Sequence, residues 1–226
     1  MEAIKAGPPG MELYILEDVI LPDSLTFFDR PLPYDSAFLR EKVSRLLPEA
    51  RALAKPWAAF AVCAPELSGG DLIRIGGRDF SSGLLVRELG SLPVVFPFLA
   101  SEGWELARWS EGVGEDLRKA AFAVRYIALH EAHDALERHI GERWEFPGVS
   151  AVTPGTLEEW PLSEQRPLFD LMGPAAAVKG MALNGRLMLE PTVSGSGIYF
   201  HSPSGFHNCY LCRDDECQLR VHFRRE

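Results

Sequence analysis

Hydrophobic side chains recur at three- and four-residue steps in two long stretches of the chain. Phe38, Leu39, Val43, Leu46, Leu47 and Ala50 follow a helix cap at Asp35 or Ser36 and predict a helix running to about Lys55. Leu117, Ala121, Val124, Ala128, Ala132, Ala135 and Leu136 keep the same spacing and predict a longer helix over residues 115–140. Glu115 and Asp116 fall in its first turn, where the helix dipole favours acid, and Gly141 is its expected stop. The intervening text is strand grammar: WAAFAVCA from Trp57, LIRIGG from Leu72, and an apolar run from Pro93 to Phe98 ending near Ser101. A short helix is expected over 83–88. Residues 11–33, with Leu13, Ile15, Val19 and Ile20 ahead of a proline-rich stretch, read as a strand and turn leader.

After Trp144 the pattern becomes loop-like through FPGVSAVTPGTLEEW. A short helix is then expected over 163–173, followed by two apolar segments joined by Asn184-Gly185, a hairpin turn signal. VSGSGIYF, residues 193–200, reads as a strand broken by glycines. There is no internal repeat and no low-complexity tract. Alternating helical and strand periods predict one mixed α/β (α+β) domain over residues 1–206, with a cysteine-rich tail over 207–226.

Composition narrows the function classes. The 226 residues carry 23 Lys+Arg against 32 Asp+Glu, a formal charge of -9. Bulk electrostatics therefore oppose binding to nucleic acid or anionic membrane. The longest apolar run, Leu92 to Ala100, is interrupted by Pro93 and Pro97 and is too short to span a bilayer. MEAIKAGPPG lacks the apolar core of a secretory signal, so a cytoplasmic location is expected.

Cysteine placement is the most pointed chemical feature. Cys63 stands alone, whereas Cys209, Cys212 and Cys217 crowd into the last segment. In a reducing compartment such spacing more often holds a metal or a cluster than a disulfide, because Cys-x-x-Cys lets two thiolates converge on one ion. The fourth ligand is open. His222 completes a zinc-like C-x2-C-x4-C-x4-H pattern, Cys63 would give the four thiolates of an iron–sulfur cluster, and an external ligand is the third option. Three free thiols without metal is the plainer alternative. Arg213, Arg220, Arg224 and Arg225 in this tail are offset by Asp214, Asp215, Glu216 and Glu226, which leaves no cationic surplus for a nucleic-acid module.

Histidines give a weaker signal. His130 and His133 in HEAHD are three apart, not the four that a zincin helix requires. His130, Asp134 and Glu137 share a helical face that would bind an ion, although a solvated face is the expectation. No G-x-S-x-G motif supports a hydrolase.

Two segments together carry a family resemblance. TPGTLEEWPLSEQRPLFDLMG (153–173) has a Pro-Gly turn ahead of a W-P-x-x-E-Q stretch. LMLEPTVSGSGIYFHSPSGF (187–206) has Pro191, Ser194, Ser196 and Gly197 leading to Tyr199, Phe200 and Pro203. They resemble the activation (reactivation) domain of vitamin-B12-dependent methionine synthase, in particular stand-alone relatives ending in a cysteine cluster. The likeness covers residues 115–220 well and the first 110 loosely. It implies a curved antiparallel sheet with flanking helices, and a role beside cobalamin or another corrinoid, carried by a partner corrinoid protein or corrinoid methyltransferase. In that family S-adenosylmethionine is bound during reductive methylation of cob(II)alamin. By this resemblance the site residues are Glu131, Pro154, Gly155, Trp160, Glu164, Gln165, Ser194, Ser196, Gly197 and Tyr199. The serines would offer hydroxyl donors, Tyr199 a flat apolar surface, and the glycines close backbone approach.

Departures from the family pattern fall where it holds S-adenosylmethionine. An arginine ahead of the Pro-Gly turn and a tyrosine after it are Ala151 and Thr156 here, and an expected Thr-Glu pair is Asn184-Gly185. Losing the arginine removes a charge-assisted hydrogen bond of about 1.5–3 kcal/mol, which counts against S-adenosylmethionine. The leading expectation is an accessory protein of corrinoid-dependent methyl transfer, docking on or reductively reactivating a B12 protein, with an iron–sulfur or zinc tail. A non-enzymatic zinc-stabilised interaction module and an S-adenosylmethionine-dependent methyltransferase are the alternatives.

Overall fold

The computed structural model describes residues 2–4, 11–28 and 32–202. Strands β1 (Glu2–Ile4) and β2 (Glu12–Leu16) form an antiparallel pair, and a 3-10 turn at Leu25–Phe27 leads toward the first long helix. That helix, α1 (Ala37–Leu53), begins where expected: Ser36 is extended and its Oγ accepts from the Leu39 N–H at 3.1 Å. Next come β3 (Trp57–Val62), a small meander β4 (Pro65–Gly69), β5 (Leu72–Ile75) and β6 (Arg78–Ser81), and the short helix α2 (Gly83–Leu89). Strand β7 (Phe96–Ser101) is followed by α3 (Trp104–Glu111) and the 27-residue α4 (Arg118–Trp144). Beyond α4 lie β8 (Val149–Val152), α5 (Gln165–Leu171), α6 (Gly173–Lys179), the two-residue strands β9 (Ala182–Leu183) and β10 (Leu189–Glu190), and β11 (Ser194–His201).

The central sheet is six-stranded in the order β1-β2-β3-β7-β11-β8, with every neighbouring pair antiparallel. Alternation along its strands divides the interior. Phe60, Phe96, Phe98 and Tyr199 face α4, where Ala132, Leu136 and Ile140 cover them. Ala59, Leu99, Ile198 and Phe200 face the opposite way, onto side chains of α2, α5, α6 and the meander. A third cluster joins α1 and α3 to the first half of α4 through Val43, Leu47, Leu106, Val124 and Ile127. The expected antiparallel sheet with flanking helices is what the chain forms; the tail over 207–226 lies outside the described residues.

Several local expectations are corrected. Gly141 does not end the long helix, which continues to Trp144 and stops at Glu145, a left-handed residue with φ 55 whose N–H bonds back to Gly141. The continuation places Trp144 against Phe96, ring centroids 4.7 Å apart, and that aromatic contact outweighs the helix-ending tendency of one glycine. A strand, β8, occupies part of the stretch expected as loop. Residues 173–179 form a helix, with Pro174 in its first turn and left-handed Gly180 (φ 62) closing it. Helix α3 had no strong signal, since only Leu106 and Ala107 are buried in it.

The last strand is not broken by its glycines. It runs for eight residues, and both glycines serve close packing. A Cβ at Gly195 would sit 2.9 Å from His133 Nε2, and one at Gly197 would meet the Val152 carbonyl oxygen at 2.2 Å. The hairpin at Asn184 is present. Its turn is wider than a two-residue loop: Leu187 takes the left-handed conformation, while Asn184 Oδ1 accepts from the N–H groups of Arg186 and Met188.

Candidate functional site

The pairing of β11 is uneven. Its ladder with β7 runs from Ser194 to Tyr199, whereas its ladder with β8 begins only at Ile198. On the β8 side, the edge over residues 194–197 therefore has no strand beside it among the described residues. The chain leaves β8 at Val152, turns at Pro154-Gly155 and swings round to α5. An open cavity of about 280 Å³ lies where the strand is missing. Ser194, Gly195 and Ser196 form one wall. Thr153, Pro154 and Thr156 come from the turn, Leu162 and Gln165 from the approach to α5, Leu187, Met188 and Leu189 from the hairpin, and Thr192 and His133 complete it.

The Pro-Gly turn has a definite geometry. Gly155 has φ +78, which glycine adopts without penalty, and its N–H donates to the Trp160 carbonyl at 2.8 Å. Gln165 is buried at the first turn of α5, and its Nε2 donates to Ser196 Oγ at 2.7 Å. Ser194 Oγ lies 2.8 Å from the Pro191 carbonyl oxygen and 2.9 Å from Ser101 Oγ. The two resemblance-bearing segments thus meet through side chains at one wall.

A buried ion pair supports that wall from below. Glu102, at the end of β7, is fully buried. It accepts a bidentate pair of bonds from Arg125 of α4, Nε to Oε2 at 2.5 Å and a terminal nitrogen to Oε1 at 2.6 Å. The same Arg125 nitrogen reaches Thr192 Oγ1 at 2.9 Å, and the Val193 N–H donates to Glu102 Oε1. Burial pushes the Glu102 carboxyl above its usual range, against the opposing pull of Arg125. The bidentate geometry is that of an ionised carboxylate, and it fixes the 191–193 loop that carries Thr192.

His133 enters the site from α4. Its Nδ1 is 2.7 Å from the Tyr199 hydroxyl, which itself donates to Glu137 Oε1 at 3.1 Å. A hydroxyl has one proton; with that proton directed at the carboxylate, Nδ1 is the donor to the tyrosine oxygen. Tyr199 is 2% exposed, and its ring packs on Phe98 with centroids 4.4 Å apart. It orients His133 from within the core. The flat exposed surface expected of it is not there.

The remaining anticipated residues divide by position. Pro154, Gln165, Ser194 and Ser196 line the cavity. Gly155 and Gly197 shape the backbone beside it. Trp160 is completely buried against Phe80, ring centroids 6.4 Å apart, and belongs to the core. Glu164 caps backbone elsewhere, accepting from the Ser81 N–H at 3.1 Å, and Glu131 is not among the lining residues. His133, Thr153, Thr192 and the 187–189 hairpin were missed. The HEAHD segment was the available signal for His133, but it pointed to metal ligation. The face of His130, Asp134 and Glu137 is half-buried, and the His130 imidazole packs on Tyr126 with ring centroids 4.2 Å apart.

Cys63 sits at the end of β3, bridged to Val95 through backbone bonds of 3.0 and 2.8 Å and packed in the apolar cluster beside Ile75 and Leu171. Burial pushes its thiol up to about 12. Metal ligation requires the thiolate, so this environment opposes the four-thiolate arrangement. Cys209, Cys212, Cys217 and His222 lie outside the described residues. Among the described residues, no three His, Cys, Asp or Glu side chains are grouped to hold a metal ion, and no helix is long and apolar enough to cross a membrane.

The chain matches no protein-family model and no curated protein sequence. Among solved structures it is similar to the crystal structure of the MetH reactivation domain bound to AdoHcy, with a TM-score of 0.61 and 13% sequence identity. The match covers 89% of this chain and 82% of that one. At that identity the likeness is one of architecture: the chain has the fold of the MetH reactivation domain.

Proposed function

We propose that the protein serves corrinoid-dependent methyl transfer as an accessory component that docks on, or reductively reactivates, a B12 protein. The observation that carries this reading is the convergence of the 153–165 and 194–196 segments on one cavity, within the fold of a domain from a cobalamin enzyme. The neighbouring structure holds AdoHcy, and the cavity here has room for a ligand of nucleoside size.

A corrinoid does not fit inside. A macrocycle with its amide arms exceeds a space of about 280 Å³, so it would stay on a partner and meet the cavity mouth. Exposed Leu162 and Met188 line the cavity and would contribute apolar contact there. When bound to that partner, the corrinoid supplies the methyl-transfer chemistry. This chain's residues would hold and orient the smaller ligand: Gln165 and Ser196 as a fixed polar pair, His133 as an imidazole aligned by Tyr199 and Glu137. The tail cysteines would hold an iron–sulfur cluster or zinc, with His222 as the fourth ligand in the zinc case.

A pull-down of the full chain from anaerobic extract tests the reading, with visible absorbance and metal analysis on the same sample. Co-purification of a corrinoid protein is expected, together with stoichiometric iron or zinc. Recovery without any corrinoid protein, combined with no change in cobalamin absorbance on titration, would overturn it.

A further inference from the structure

We infer that a second cavity, between the end of β2 and α4, binds a free α-amino acid with an aliphatic side chain. The cavity measures about 180 Å³, below the about 300–1,000 Å³ of sites for drug-sized ligands. It shares no residue with the cavity beside β11. One wall is the stretch from Leu16 to Val19, where the chain leaves β2. The other is a single face of α4: Ala135, Arg138, His139 and Glu142 recur at steps of three and one to four residues, which sets them along one side of the helix.

The floor is apolar and the rim is charged. Val19 is buried, with half-buried Leu16 and Ala135 packed against the same cluster. The His139 ring packs on Phe60, centroids 5.5 Å apart. Burial pushes its imidazole below the usual value, with Arg143 adding to the effect and Glu142 opposing it, so it brings no second cation at neutral pH. At the rim stand Glu17, Asp18, Arg138 and Glu142, all exposed. Glu17 is bonded to Lys179 of α6. Among the described residues, Arg138, Asp18 and Glu142 have no ion-pair partner, although Arg138 and Glu142 lie one helical turn apart.

One guanidinium and two carboxylates around an aliphatic floor match one small chemical pattern. A carboxylate takes the fork of Arg138. An ammonium on the next carbon, with its three donors, is shared by Asp18 and Glu142. An aliphatic side chain covers Leu16, Val19 and Ala135, away from water. A simple amine or a simple carboxylic acid satisfies only half of the rim.

Calorimetric titration of the full chain with L-leucine, isoamylamine and isocaproate is the test; the last two are leucine without its carboxylate and without its ammonium. Leucine is expected to bind at least about tenfold more tightly than either, and to weaken as salt is raised. Arg138→Gln should cost leucine at least about tenfold and leave isoamylamine unchanged. Asp18→Asn combined with Glu142→Gln should weaken leucine and isoamylamine and leave isocaproate unchanged. These variants alter exposed side chains, so their thermal unfolding should match that of the wild type. Ala135→Leu, which fills the floor, should remove all three ligands. No leucine binding, a truncated ligand as tight as leucine, or leucine binding indifferent to the charge variants would overturn the inference. The two cavities share no residue, so the charge variants should capture a corrinoid protein as the wild type does, and a failure here is distinct from a failure of the docking role.

Discussion

Gln165 and Ser196 are joined by a buried 2.7 Å hydrogen bond across 31 residues of sequence. The bond ties the start of α5 to the middle of β11. Removing either partner leaves the other buried and unsatisfied, a cost of about 1–3 kcal/mol. Gln165→Leu and Ser196→Ala should each lower the urea midpoint. The double variant should lose less than the sum, because the second change removes a group already unsatisfied. Strict additivity would show that the pair does not interact.

Gly197 is closed to any side chain. Its Cβ would meet the Val152 carbonyl oxygen at 2.2 Å and the Phe98 ring at 2.8 Å, and a backbone oxygen cannot swing aside. Gly197→Ala should destabilise by at least the about 1–3 kcal/mol typical of overpacking. Gly173, at the start of α6, has nothing within 4 Å of the same position. Gly173→Ala should be neutral or stabilising by up to about 1 kcal/mol. Thermal unfolding of the two variants side by side checks the contrast.

Arg125→Met would leave Glu102 buried without its partner, at a cost of about 3–5 kcal/mol. The pH dependence has a definite sign. Burial already raises the folded-state carboxyl above its ordinary 4.5, and Arg125 is the main influence lowering it. In the variant the folded value rises further. Stability is then fully present below the unfolded value and is lost as pH rises through the folded value. The deficit against wild type should shrink as pH falls through that raised folded value toward the ordinary 4.5. Urea unfolding between pH 4 and 8, a range set around that carboxyl, would show it; a deficit that grows with acid would contradict the assignment.

Cys63 should resist modification while the protein is folded. Its thiol is held up at about 12 by burial, so little thiolate exists at pH 8. Brief alkylation of native protein followed by peptide mass mapping should leave Cys63 unlabelled until denaturant is added. Rapid native labelling would mean that β3 opens at that end.

Legibility in the sequence followed the strength of local signals. Ser36 and the spacing of Leu39, Val43 and Leu47 predict α1, because a cap and a buried stripe agree there. Gly141 misleads, since the edge-to-face contact of Trp144 with Phe96 is a tertiary contact with no local signature. SGSG reads as a break because glycine lowers strand propensity; its purpose, space for His133 and the Val152 carbonyl, exists only once α4 and β8 are in place. Trp160 and Tyr199 count as site residues only through the family resemblance, and both are buried in the core, a placement that the packing of Phe80 and Phe98 against them decides. His133, which sequence reasoning missed, reaches the cavity from α4, remote in the chain from both segments, and no spacing rule anticipates that; Thr192 lies two residues before Ser194, within the second segment.

Strand β11 sorts its positions by parity. Ser194 and Ser196 look toward Gln165 and the open space, while Gly197 and Tyr199 lean on the packing beneath α4. Exchanges at Ser194 therefore meet the open space first, whereas Ser196 is tied to Gln165 and the positions from Gly197 to Phe200 are registered by the scaffold. A single strand thus passes from the rim of a recognition surface into the interior of the fold along its own length.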